Sequence, residues 1–344
     1  MRHDAATIAR MLAERAPSLV RELLPNGRKH GAEWRCGSLA GERGQSLAVH
    51  LGGARSGVWA DFSSAERGDA LDLVAAVLYG GDRRKALVWA RQWLGLGNGD
   101  VGPVVRRSAP MGRTSEVDTD AQARRAAARK VWFAGEPLRM GSPAAAYLAG
   151  RGIDLLELGR VPGSLRFHTG LWNGESQRHW PAMLAGICAP DGAMVAMHRT
   201  WLAPTPSGGW SKAPLRDAKM TLGSYAGGCI RLWRGASGKP LAFAPEGETA
   251  VLAEGIETAL SIAISCPEHR VLCAVSLANM ARVVLPAAIR TVIVAADNDE
   301  GNASARRALD VACQWFLSQG RDVRLAMPDR KDADWNDILQ EMDA

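Results

Sequence analysis

The 344-residue chain is poor in several features that would assign its class at once. It has no run of about twenty apolar residues, which argues against a membrane-spanning helix. Its opening stretch, MRHDAATIARMLAERAP, is charged throughout and lacks the apolar segment of a signal peptide, so a cytoplasmic location and no membrane partner are expected. The six cysteines (Cys36, Cys188, Cys229, Cys266, Cys273, Cys313) include no CxxC pair. That scatter fits reduced thiols and argues against a four-cysteine zinc site. No G-x-x-x-x-G-K-[ST] segment occurs, so no helicase-type phosphate loop is encoded. Acidic residues are the minority charge, 36 against 42 Lys plus Arg, for a formal net charge of +6. Such a balance suits a polyanionic partner and equally an ordinary solvated surface.

Hydrophobic residues make up 47% of the chain, enough to bury roughly two or three domain cores. Residues 4–24 carry Ile8, Met11, Leu12, Leu19 and Leu23 at helical spacing, interrupted by Pro17. AEWRCGSL, QSLAVHLGG and SGVWADFSS then read as short antiparallel strands. DALDLVAAVLYG and DRRKALVWARQWLG read as helices, with Asp69 and Asp82 as N-caps and Gly80 and Gly95 as stops. Between Gly97 and Asp118 the composition turns to Gly, Pro, Ser and scattered charge, the pattern of a flexible linker. Helices are expected over DAQARRAAARKVWFAGEPL and SPAAAYLAGRGI, and a β-rich stretch over 160–247. In the first of these helices Arg124, Arg125, Arg129 and Lys130 fall on no single stripe, which favours a solvated face. The last hundred or so residues alternate strand and helix (VLAEG, ETALSIAIS, VLCAVS, ANMARVVLP, TVIVAADND, DVRLAMP, DWNDILQEM), the signature of βαβ units and a parallel sheet. The resulting division is 1–96, a linker at 97–118, 119–247 and 248–344.

The chemistry-bearing stretch is TVIVAADNDEGNASARRALDVA, in which Asp297, Asp299 and Glu300 follow an apolar strand directly. Like charges this close repel unless a cation or water separates them. Ligands of parallel α/β sheets bind beyond the strand C-termini, and Glu254 ends the strand VLAE in the same way. If those strands are neighbours, Glu254, Asp297 and Asp299 converge as hard oxygen ligands suited to Mg²⁺. The alternative is ordinary helix capping by Asp299 or Asn302, with Glu254 and Glu300 in water. KDADWND adds a second acidic cluster (Asp332, Asp334, Asp337), suited to another metal or to capping the last helix.

The block AEGIETAL … AVSLANM … VIVAADNDEGNASARRAL … DWNDIL, over roughly 248–340, resembles the Toprim domain of bacterial-type primases, topoisomerases and related nucleases. The resemblance implies that Glu254 is a general acid/base or metal ligand and that Asp297 and Asp299 hold catalytic Mg²⁺ (or Mn²⁺). One departure stands out. Related primases often carry an aspartate four residues after the glutamate; this chain has Thr258 there, and whether Glu257 substitutes stays open. Upstream, RFHTG, PAMLAGICAPDGAMVAMHRTWL and DAKMTLGSYAGGCIRL resemble in order the β-rich half of the primase RNA-polymerase core. This implies that Arg199 and Lys219 face nucleotide or template, as phosphoryl transfer demands of nearby cations. Taken alone, Arg199 also fits a surface arginine at a strand edge; His198, Lys212 and Arg216 lie near it in sequence.

GDALDLV at 68–74 resembles the pattern that follows the family's N-terminal zinc ribbon, but Trp59, Asp61 and Phe62 stand where its last cysteines would lie. Cys36, His30 and His50 fall short of four ligands, which implies a degenerate ribbon with no zinc. Trp34, Trp59, Phe62 and Leu73 are then its expected core. The functional alternative is base stacking by an exposed Trp or Phe, with Arg28, Lys29, Arg35, Arg43 and Arg55 on phosphates; Arg35, Arg55 and Trp59 are its candidates.

The fold implied is α/β: a C-terminal Toprim domain with a helix-flanked parallel sheet, a mixed α+β primase-core subdomain before it, and a small N-terminal α+β ribbon-like domain. The implied function is that of a phage, plasmid or other mobile-element primase, making short RNA primers from NTPs on single-stranded DNA beside a separate replicative helicase. A Toprim nuclease that cleaves DNA and a non-catalytic single-stranded DNA-binding replication adaptor are the other readings. A topoisomerase fits poorly, since Tyr79, Tyr147 and Tyr225 sit in no recognisable cleavage domain.

Overall fold

The computed structural model describes residues 4–39, 41, 44–62, 66–96, 114–298, 303–331 and 333–342; for 114–121, 303–304 and 342 it describes the backbone alone. Two compact units are present, Met1–Asp118 with Asn302–Val311, and Thr119–Gly301 with Ala312–Ala344.

In the first unit, side-chain caps set the helix starts. Asp4 accepts from the Thr7 N–H at 2.8 Å to open α1 (Ala5–Glu14), and Pro17 lies in the first turn of α2 (Ala16–Leu23). The proline thus splits one apolar pattern into two helices, because it can start a helix but not continue one. Five strands follow, β1 (Arg28–His30), β2 (Glu33–Cys36), β3 (Leu47–His50), β4 (Trp59–Asp61) and β5 (Glu66–Gly68), paired antiparallel in chain order. Asp69 and Asp72 form a reciprocal capping box at the start of α3 (Ala70–Tyr79), which Gly80 ends in a left-handed conformation. Asp82 caps α4 (Arg83–Trp93). Ile8, Leu12, Leu19, Leu47, Trp59 and Leu73 are buried in this unit. Phe62, expected in that core, is instead 47% exposed. It lies just past β4, where its N–H still pairs with the Ser46 carbonyl but its ring has left the apolar layer.

α5 (Thr114–Ala134), which lies in the second unit from Thr119 on, begins earlier than composition suggested: residues 114–118, read as linker, are helical, and 97–113 lie outside the described residues. β6 (Glu136–Pro137) and α6 (Pro143–Ala149), capped by Ser142, precede the antiparallel strands β7 (Leu165–Asn173), β8 (Arg178–Cys188), β9 (Met194–Pro204), β10 (Trp210–Lys212), β11 (Lys219–Leu222) and β12 (Cys229–Arg234). The βαβ region then runs β13 (Glu248–Ala253), α7 (Ile256–Ser265), β14 (Arg270–Cys273), α8 (Leu277–Met280), β15 (Ile289–Ala295), α9 (Ala303–Leu317), β16 (Asp322–Ala326) and α10 (Trp335–Met342). α8 is shorter than ANMARVVLP suggested, because β-branched Val283 and Val284 and then Pro286 follow it.

These strands form one 11-stranded sheet along the path β10-β9-β8-β12-β14-β13-β15-β16, with β11 also on β9 and β7 joining β6 to β8. β14, β13, β15 and β16 are mutually parallel, and the antiparallel β12–β14 pair welds them to the β-rich half. Burial explains the difference in pattern. β14 is buried at every position, as a strand covered on both faces must be, whereas β7 alternates buried and exposed. A core containing Tyr147, Phe167, Met183, Val251, Leu260 and Val271 spans both halves. Ala128 of α5 packs with Leu184, Met197 and Trp201 in a second cluster. Among the described residues no helix is long and apolar enough to cross a membrane. All six cysteines are free.

Candidate active site

Parallel pairing of β13 with β15 sets Leu252 opposite Val294 and Ala253 opposite Ala295. The residues that follow, Glu254 on one strand and Asp297 on the other, therefore end at the same sheet edge, both partly buried. The Glu254 carbonyl accepts from the Val275 N–H and the Cys273 thiol, each at 3.0 Å. Val275 makes its contact from φ +74°, a conformation costly for a β-branched residue, and such strain persists only where the surroundings impose it. Beyond Asp297, Asn298 pins the chain by donating from its backbone to Ala333 and from its side chain to Pro328. Asp299 and Glu300 lie outside the described residues. Among the described residues no three His, Cys, Asp or Glu side chains group closely enough to hold a metal. Glu254 and Asp297 are thus the described part of the expected triad, and their oxygen donors and shared edge suit a hard divalent cation.

Beside this edge stands a group of side chains that residue patterns did not bring together. Glu257, in the first turn of α7, is 5% exposed. Its carboxylate accepts from the Tyr147 hydroxyl at 2.6 Å and pairs with Lys219 at 3.0 Å and Lys212 at 3.5 Å. Lys219, expected to face a nucleotide, is therefore already ion-paired. Burial alone would raise the Glu257 carboxyl, but the two ammonium charges and the Tyr147 hydrogen bond outweigh it and hold the group well below the usual carboxylate range. Burial likewise opposes the charge on Lys219, yet Glu257 keeps that ammonium above its ordinary range. Lys212 is lowered by burial, with Glu257 opposing and Lys219 reinforcing the shift. The clue in the sequence was a lone acid in the otherwise apolar helix ETALSIAIS. Tyr147, more than a hundred residues earlier, offered none.

Arg199 lies on β9 opposite Met220 of β11, adjoining the strand pair that carries Lys219. Its guanidinium lies 5.0 Å from the Trp201 ring centroid and donates to the Thr221 carbonyl at 3.4 Å; burial brings it down to about 10. His198 is held neutral by burial, with Lys219 adding to the shift, down to about 3. Among the described residues, neither His198 Nδ1 nor Arg199 Nε finds a hydrogen-bond partner.

Comparison with known families bears on this edge directly. Residues 249–343, which contain β13, β15 and the acids behind them, match the family model of the Toprim domain. This segment is a Toprim domain. Residues 122–232 match a family described as a domain of unknown function, DUF7146. No curated protein matches the chain in sequence. Among solved structures, the chain is similar to the Aquifex aeolicus primase (zinc binding and RNA polymerase domains), at 15% identity over 97% of this chain and 82% of that one, TM-score 0.39. The primase fragment of the bacteriophage T7 primase-helicase protein aligns at 13% identity over 88% and 92%, TM-score 0.36. A DNA primase domain from Pseudomonas aeruginosa aligns at 14% over 64% and 74%, TM-score 0.39.

The second acidic cluster of the Toprim domain is a helix start. Asp334, just before α10, and Asp337, in its first turn, exchange backbone-to-side-chain hydrogen bonds at 3.1 and 2.8 Å, and Arg151 pairs with Asp334 at 3.7 Å. Asp332 lies outside the described residues. In the first unit, Arg35 is spent on Glu33, to which Nε and Nη2 donate at 2.9 and 2.7 Å. Trp59 is 3% exposed, so its ring offers no face to a base. Arg55 and Trp59 do line a common cleft of about 480 Å³, and the aromatic ring open there is Phe62. Arg43 lies outside the described residues.

Proposed function

We propose that the chain is a primase-like, DNA-directed nucleotidyltransferase that joins NTPs into short RNA primers on single-stranded DNA. The observation that carries this reading is the single sheet in which Toprim strands β13 and β15, followed by Glu254 and Asp297, continue through β14, β12 and β8 into β9 and β11, bearing Arg199 and Lys219. Acids and cations are thereby fixed to one framework, as phosphoryl transfer by positioning and electrostatics requires.

In the reaction, a primer 3′-hydroxyl attacks the α-phosphorus of an NTP, an O–P bond forms, and pyrophosphate leaves. Glu254 and Asp297, with Asp299, are the residues that would hold Mg²⁺ or Mn²⁺, which supplies charge neutralisation at the phosphates. The Glu254 carboxylate would also accept the hydroxyl proton. Arg199 and Lys219 orient the triphosphate or template. The first unit would contact the template strand through Arg55 and its neighbours and would fold without zinc. Unwinding would fall to a separate helicase, in the setting of a phage, plasmid or other mobile element.

The test is incorporation of labelled NTPs on a single-stranded template with Mg²⁺, comparing wild type with Asp297→Ala. Template-dependent oligomers from the wild type alone are expected. A nicked template without synthesis would replace this reading with a Toprim nuclease, and DNA binding indifferent to Glu254→Ala and Asp297→Ala with no synthesis would replace it with an adaptor.

A further inference from the structure

Among the described residues only Gln177 and Val275 have a left-handed φ without being glycine, and Val275 adjoins the edge that carries Glu254. Successive N–H groups of an extended strand point to opposite edges. Yet Ala274 and Val275 both donate towards β13 and its continuation, to Ala253 at 2.8 Å and to Glu254 at 3.0 Å. The chain therefore leaves the extended form here, and past the φ of +74° at Val275 it runs directly into α8. A β-branched side chain does not favour that turn, so its neighbours must impose it. Asn279 of α8 is placed to do so. It is buried, and its amide bonds at both ends: Nδ2 donates to the carbonyls of Ala274 at 2.8 Å and Gly228 at 2.9 Å, and Oδ1 accepts from the Gly227 N–H at 2.9 Å. The bond to Ala274 spans Val275, so it lasts only while Val275 folds back. Gly227 and Gly228 lead into β12, whose pairing with β14 ties that anchor to the same sheet. Ser276 adds a second grip: its hydroxyl accepts from the Asn279 N–H at 3.4 Å and from the Tyr225 hydroxyl at 3.3 Å. An amide suits position 279 because it combines an acceptor with two donors in one short side chain.

We propose that Asn279 is a positioning residue for Glu254: by clasping Ala274 across Val275 it imposes the left-handed turn, and the turn keeps the Val275 N–H on the Glu254 carbonyl, fixing where the Glu254 side chain leaves the sheet edge. That Glu254 holds a metal rests on the function proposed above; the clasp on its backbone does not. Without Asn279 the strained turn relaxes, Val275 returns to negative φ and its N–H leaves Glu254. Glycine takes a left-handed φ at no steric cost, so in Val275→Gly the turn no longer needs Asn279. A general loss of packing on removing Asn279 would instead be the same with either residue at 275.

The experiment is a double-mutant cycle in the full chain: wild type, Asn279→Ala, Val275→Gly and the double variant. Two quantities are read, hydrogen exchange of the residue-275 amide relative to the amides of β14, and calorimetric binding of Mn²⁺, with Glu254→Ala marking the part of that binding that depends on Glu254. In the wild-type background Asn279→Ala is expected to speed exchange at 275 and to weaken Mn²⁺ binding about tenfold each, the population change that relief of left-handed strain brings. In the Val275→Gly background the same Asn279→Ala step is expected to change both by no more than about twofold. Equal losses in the two backgrounds, or wild-type exchange in Asn279→Ala, overturn the proposal. So does faster exchange with unchanged Mn²⁺ affinity, since the clasp then positions nothing. If Asn279→Ala does not fold, Ser276→Ala, which releases the second grip, takes its place in both backgrounds. Primer synthesis by wild type is assayed in parallel. Synthesis with equal losses in the two backgrounds removes the clasp alone. Absent synthesis, or Mn²⁺ binding that Glu254→Ala leaves unchanged, together with the expected exchange pattern removes the polymerase reading alone.

Discussion

At the scale of single residues, a short buried hydrogen bond runs from the Tyr147 hydroxyl to the Glu257 carboxylate at 2.6 Å. Tyr147→Phe leaves a buried carboxylate short of one donor and should cost about 1.5–3 kcal/mol, read as a lower urea midpoint at unchanged slope. His198 gives a pH signature. Its folded pKa of about 3 lies below the ordinary 6.5, so below pH 6.5 the unfolded chain binds the extra proton. Stability therefore falls as pH drops from 6.5 towards 3, by up to about 1.4 kcal/mol per pH unit. Glu257, depressed from 4.5, adds its own loss in the same direction below pH 4.5. Urea unfolding between pH 7 and 4 should show the slope in wild type and a shallower one in His198→Asn. An unchanged slope would mean that His198 is not held neutral. Composition could not foresee this, since a histidine beside an arginine in HRTWL says nothing of what covers it.

At the scale of elements, Arg270 at the start of β14 ties that strand to its parallel neighbour β13. Its side chain is 2% exposed, and Nε donates to Glu248 of β13 at 2.8 Å. Removing the carboxylate with Glu248→Ala strands a buried guanidinium and should destabilise the chain by about 3–5 kcal/mol, whereas Glu248→Gln should cost less. Thermal unfolding of both variants checks the order. The turn after β11 is fixed by Gly223, at φ +100°, where a Cβ would meet the Val195 carbonyl oxygen at 2.7 Å. Gly223→Ala should therefore lower stability and loosen Lys219 with it. Elements were also where the sequence was most legible. Asp69, Asp82, Gly80 and Pro17 act as caps, stop and helix start because these functions depend on a few adjacent residues. α8 was read too long because Val283, Val284 and Pro286 lie inside its apolar pattern, and the start of α5 was read too late because TSEVD carries no apolar periodicity.

At the scale of the whole molecule, the first unit should hold its fold by apolar packing, with Cys36 buried and bonded through its thiol to the Ser38 carbonyl. Chelator treatment of the full chain is expected to leave its thermal unfolding unchanged and metal analysis to find no stoichiometric zinc. A chelator-induced transition would show that this unit keeps a metal after all. The order of strands and helices, the acids behind two apolar strands and the scatter of the cysteines were all set by the sequence itself, because each is a matter of local pattern and residue type. Tertiary structure alone decided that β13 and β15 are neighbours, that Trp59 is buried while Phe62 is open, and that Glu257 gathers Tyr147, Lys212 and Lys219. Those facts depend on strand order and on which faces meet, and pairings between residues tens to more than a hundred positions apart leave no trace in local spacing.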